Sequence, residues 1–147
     1  MYRLSLILLP RTSHSLKEVA VKSFIDKTIV PFLIVAGLGT CSAGILFVLP
    51  QFAVETFFKL PFAENYTIFV QHWGLMVLLA GIFMIVSAFR ESWRTPVLIY
   101  VAIEKTIYVS LYVCNIHSSF AKGFVGGAVM DSLIVLYLML YFWKGEP

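Results

Sequence analysis

Four long apolar stretches, interrupted by short polar connections, organise the chain. Residues 28–54 contain no Asp, Glu, Lys or Arg, and neither do residues 65–89. About 20 consecutive apolar residues suffice for a helix to cross the hydrocarbon core of a bilayer. The pattern therefore predicts spanning helices over about 29–49, 67–88, 97–114 and 120–143. Pro31 falls in the first turn of the first helix, where its missing N–H is harmless, and Pro50 is expected to end it. Residues 51–61 mix Phe52, Phe57 and Phe58 with Glu55 and Lys59, the composition of an interfacial segment rather than a span. Residues 90–96 read as a tight connection, and residues 115–119 as a polar loop.

Small residues recur along these helices. Ala36, Thr40 and Gly44 form a row at four-residue spacing, and Gly74, Gly81 and Ala88 a row at seven. Such rows let helices approach closely in a membrane. Gly123 and Gly127 make a GxxxG pair, which serves packing within the chain or with a partner. The expected fold is all-α, an up-and-down bundle of four transmembrane helices forming one membrane domain over residues 28–144. Residues 1–27 are set apart as an N-terminal cytoplasmic segment, partly disordered or folded as an interfacial amphipathic helix. In that helix Leu16, Val19, Ala20 and Phe24 would share one face. The apolar run at 4–9 is too short to span and no small-residue cleavage site follows it, so a secretory signal is not expected. The segment also reads as sequence upstream of the true start.

Composition agrees with this class. Hydrophobic residues make up 60% of the 147 positions and charged residues only 13%. The mean hydropathy is +0.89. Soluble domains average roughly 25% charged residues, and a chain this small cannot hide so much apolar surface from water. The net charge of +3 comes mainly from Arg3, Arg11, Lys17, Lys22 and Lys27, ahead of the first span. With Arg90, Arg94 and Lys144 these residues fall on one side of a four-span topology. The positive-inside rule then places both termini in the cytoplasm. No basic, aromatic-interleaved surface supports nucleic-acid binding. Cys41 and Cys114 show no metal-ligand spacing, and neither a metal nor a cofactor is expected.

The informative residues are the charges inside the spans. A charged side chain at the bilayer centre costs at least about 2.5–3.5 kcal/mol on insertion scales. Glu104, Lys105 and Asp131 lie at similar depth, within about 6 Å at 1.5 Å per residue. Neighbours in sequence point about 100° apart on a helix, so Glu104 and Lys105 are not expected simply to pair across it. Either Lys105 meets Asp131, or Glu104 carries a proton and hydrogen-bonds instead. His72, toward the other end of the second span, could extend this buried network, with Gln71, Tyr100, Tyr108 and Tyr112 in support. Arg90, Glu91 and Arg94 form a surface charge cluster suited to lipid headgroups. No nucleophile elbow, phosphate loop or HExxH motif is present.

The span ending in Leu49-Pro50, the aromatic stretch after it, Gln71-His72-Trp73-Gly74, Arg94-Thr95-Pro96, Glu104-Lys105 and the glycine-rich helix with Asp131 together resemble the small four-helix, DoxX-like bacterial membrane proteins. The resemblance covers roughly residues 29–143 and implies a compact bundle in the inner membrane. Three functions fit the residues. One is a non-enzymatic accessory or partner-binding subunit whose buried polar network registers the helices, in contact with the bilayer and with a second copy or a membrane complex. Another is a proton-coupled carrier or relay using His72, Glu104, Lys105 and Asp131. The third is a membrane enzyme for a hydrophobic substrate such as a quinone or isoprenoid, which requires an apolar pocket walled by those groups.

Overall fold

The computed structural model describes residues 13–144, all of whose regular structure is helical. The apolar run at 4–9 lies outside the described residues. Helix α1 (Ser13–Cys41) passes through a tight turn at Ser42–Gly44 into α2 (Ile45–Val48). No break separates residues 13–27 from the span that follows. The backbone then bends at Leu49 (φ −132°, ψ 67°), and Pro50 starts the short α3 (Pro50–Ala53). Proline fits a first helical turn and cannot extend the preceding one, so the chain must turn here. A wide helical turn over Val54–Phe58 follows, closed by Lys59 in the left-handed region at φ 57°.

Helix α4 (Thr67–Phe89) and α5 (Glu91–Cys114) are joined by the single extended residue Arg90. The polar connection read at 90–96 is therefore almost entirely helical. Pro96 sits inside α5. Arg94 stabilises the junction by donating to the carbonyls of Ser87 and Ala88, each at 3.3 Å. These belong to the last turn of α4, whose carbonyls have no partner further along the helix. At the other end Asn115 donates to the Leu111 carbonyl at 2.8 Å and closes α5. A narrow helical turn over Ser119–Phe124 leads into α6 (Val125–Lys144).

Four segments are long and apolar enough to cross a membrane: Val21–Val48, Glu64–Phe89, Glu91–Cys114 and Ser119–Trp143. They pack in sequence order, and α6 returns to α1. Gly74 and Gly81 lie in the seam of α4 with α1 and α2, where they meet Gly37, Cys41 and Leu46 rather than the Ala36–Thr40–Gly44 row, whose Gly44 meets the Leu78 side chain. A Cβ added at Gly81 would lie 2.7 Å from both the Cys41 nitrogen and the Gly37 carbonyl oxygen, and one at Gly74 2.7 Å from Leu46 Cβ.

The two halves of the bundle differ. Near the end that carries Arg90, a core closes among Ile29, Leu33 and Ala36 of α1, Met84 and Ala88 of α4, Leu98 and Val101 of α5, and Ile134 and Leu138 of α6. Toward the other end this dense packing gives way to open volume. The seam makes a direct prediction. Gly81→Ala forces two backbones apart and should destabilise the bundle by about 1–3 kcal/mol. Gly126→Ala, where an added Cβ meets nothing within 4 Å, should be neutral or slightly stabilising. Reversible unfolding in mixed detergent micelles, followed by circular dichroism, measures both. Equal effects at the two glycines would contradict the packing described.

Candidate functional site

Positions 98, 101 and 105 of α5 share one buried face, as do positions 128, 131, 134 and 138 of α6. Three- and four-residue steps keep side chains on one face of a helix, so Lys105 and Asp131 continue the stripes that form the core. Both are taken out of lipid by that placement, with side chains 3% and 5% exposed. The Lys105 ammonium lies 3.3 Å from Asp131 Oδ1 and 3.2 Å from Glu104 Oε2.

The second distance corrects the expectation that adjacent residues on a helix do not pair. Their Cβ directions do diverge, but the long lysine stem folds back far enough to bring Nζ between the two carboxylates. Neither contact is a well-directed hydrogen bond, and Glu104 Oε2 and Asp131 Oδ1 accept no other. The ammonium thus holds the carboxylates by charge and proximity.

The triad stands where the packed half ends. Beyond it lies a cavity of about 730 Å³, with Glu104, Lys105 and Asp131 on its wall. Thr40, Leu46 and Val77 contribute from α1, α2 and α4, and Met130 from α6. The far end is covered by the segment after Pro50. Phe58 packs on Phe124 at 4.7 Å and on Trp73 at 5.8 Å between ring centroids. Gly123 meets the Phe58 carbonyl so closely that no Cβ would fit there. Gly127 leaves room for the Tyr108 hydroxyl, 2.9 Å from where its Cβ would be. The GxxxG pair therefore packs within the chain. Glu104, Tyr108 and Trp73 also line a second, shallower groove of about 380 Å³ on the outside of α5, with Tyr100, Ile103 and Ile107.

The residues singled out from sequence are thus partly gathered and partly dispersed. Glu104, Lys105 and Asp131 converge, and Tyr108 stands beside them on the cavity wall. Tyr100 lies on the outer groove, and Tyr112 lines neither space. His72 is exposed and is not among the residues that line the cavity. Gln71 donates to the Phe47 carbonyl at 3.2 Å and so braces α4 against α2. Arg94 is engaged with the end of α4 and with Glu91 at 3.6 Å. Among the described residues no group of three or more His, Cys, Asp or Glu is arranged to hold a metal.

Sequence reasoning missed the cavity lining supplied by Phe57, Phe58, Trp73, Lys122, Gly126 and Met130. The available signal was the third glycine, Gly126, which the GxxxG spacing does not need. No family model matches the chain, and no curated protein or solved structure is similar to it. The DoxX-like resemblance accordingly rests on layout alone.

Removing Lys105 leaves the buried Asp131 carboxylate and the partly exposed Glu104 carboxylate without their shared cation, whereas removing Asp131 leaves Lys105 paired with Glu104. Breaking a buried pair typically costs about 3–5 kcal/mol. Lys105→Met should therefore destabilise the bundle more than Asp131→Asn. The double variant should be more stable than Lys105→Met alone, with a coupling of about 0.5–3 kcal/mol. A double-mutant cycle of detergent unfolding reads these values; strict additivity would show that the contact carries no energy.

Proposed function

We propose that this chain is a small, non-enzymatic membrane protein that holds an amphipathic small molecule inside its bundle. The apolar part of the ligand would fill the cavity and its polar head would meet the Glu104–Lys105–Asp131 triad. The carrying observation is the coincidence of the closed ionic triad with open volume. Small-molecule sites have volumes of about 300–1,000 Å³, apolar walls and a few convergent polar groups. The space of about 730 Å³ above the triad has these properties.

A purely helix-registering network has no use for that space. A proton relay draws on the same triad but lacks its intended outer member, because His72 is exposed away from the cavity. The surplus of Lys and Arg on the side of the chain ends, with Arg90 and Arg94, supports termini in the cytoplasm, and the DoxX-like layout supports residence in a bacterial inner membrane.

Trp73 on the cavity wall reports occupancy once the exposed Trp93 and Trp143 are changed to Phe. With this protein in phosphatidylcholine vesicles, dodecanol should produce a saturable change in Trp73 emission. Gly126→Phe, which projects a ring into open space beside the cavity, should abolish the saturable part. An unsaturable response, identical in Gly126→Phe, would overturn the proposal.

A further inference from the structure

The charges on the buried wall of the cavity do not balance. Two carboxylates, Glu104 and Asp131, share the single ammonium of Lys105. Lys122 also lines the cavity, but it is exposed at the far mouth. It stands nine positions from Asp131, roughly 14 Å at 1.5 Å per residue, where solvent screens it. An uncompensated charge is most unfavourable where water is scarce. An anionic head would add a third negative group, a neutral head would leave the imbalance, and a cationic head would remove it.

Two observations independent of the charge count point the same way. Glu104 Oε2 and Asp131 Oδ1 are sealed against the Lys105 ammonium, but the Glu104 side chain is partly exposed, so its carboxylate can accept a hydrogen bond from a donor-rich head. Phe58, Trp73 and Tyr108 surround the approach, and aromatic faces attract cations within about 6 Å of the ring. The route in is also marked. Glu104 is the most exposed member of the triad, at 26%, and it stands with Tyr108 and Trp73 between the cavity and the outer groove of α5.

We infer that the cavity selects a membrane-dissolved amphiphile with a cationic amine head. The ligand ammonium lies against the exposed side of Glu104, near Asp131 and clear of the Lys105 ammonium that already bridges the two carboxylates, and the molecule enters from the groove past Glu104 and Tyr108. This rests on the cavity being a ligand site, and the test separates the two claims. Dodecylamine, dodecanol and dodecanoate share one chain length and differ in head charge. Each is titrated into vesicles carrying the single-Trp73 protein, with Gly126→Phe as the blank, at a pH where the amine is charged and the carboxylate ionised.

The amine should bind about tenfold or more tighter than the alcohol, and the carboxylate weakest. Glu104→Gln should bring amine and alcohol together while alcohol binding persists, which also shows that the variant is folded. Equal binding of amine and alcohol, or tighter binding of the carboxylate, overturns the charge selection and leaves the cavity site standing. An amine preference unchanged in both Glu104→Gln and Asp131→Asn removes it from these carboxylates. Saturable binding of none of the three overturns the site itself.

Discussion

Ionisable groups placed in the middle of an apolar bundle must find each other, and that requirement sets much of this structure. Lys105 and Asp131 lie on different helices, so α5 and α6 are held in the register that brings Nζ to 3.3 Å from Oδ1. A slip of one residue on either helix would rotate one group by about 100° toward lipid. Because both residues extend the core-forming faces, the same register also brings Leu98 and Val101 against Ile134 and Leu138. Apolar packing and ionic pairing therefore agree on one arrangement, and such agreement across levels is what gives a sequence a single fold.

The hollow half has a separate origin. Along the α1–α4 seam glycines bring two backbones together, which draws these helices close over most of their length. On the opposite side α5 and α6 carry bulkier groups at the cavity level, Tyr108 and Met130 among them. The volume between the two pairs is not refilled at Gly126 of α6, where an added Cβ would meet nothing within 4 Å. Its far end is covered by a device that depends on Pro50. The bend at Leu49 sends the chain back across the bundle end, where Phe58, Trp73 and Phe124 pack together and Gly123 admits the Phe58 backbone.

Much of this architecture was legible in the residues. The charge-free runs identify the first two spans because any Asp, Glu, Lys or Arg in lipid carries a known penalty, and length and hydropathy identify the other two. Gly74 and Gly81 of the α4 row identify the seam, but their closest partners are Gly37, Cys41 and Leu46 rather than the row read at Ala36, Thr40 and Gly44. The meeting of Lys105 with Asp131 follows from depth and helical phase. The pairing with Glu104 does not, since a rule about Cβ directions says nothing of where a flexible four-carbon stem can place its end. The α4–α5 connection was read too long because Arg90, Glu91, Arg94 and Pro96 resemble a loop in composition. In the fold only Arg90 is extended; Glu91, Arg94 and Pro96 belong to α5, and the Arg94 guanidinium serves the preceding helix. The cavity was beyond reach, because an absence of packing depends on three-dimensional distances between helices that no periodicity encodes.

The distinction between a structural and a ligand-binding triad turns on surplus. Registering two helices needs one opposite pair, and Lys105 with Asp131 supplies it. Glu104 adds a second negative group, which weakens the balance inside the bundle rather than improving it. Its position on the wall shared with the lipid-facing groove makes it the member of the triad within reach of a molecule arriving from the membrane. Well-packed apolar residues commonly equal or exceed buried ion pairs in stability, so stability alone does not account for this carboxylate or for the unfilled volume beside it. Their joint presence at one boundary is what a binding site requires: a void to accept the ligand and an unmet charge to choose it.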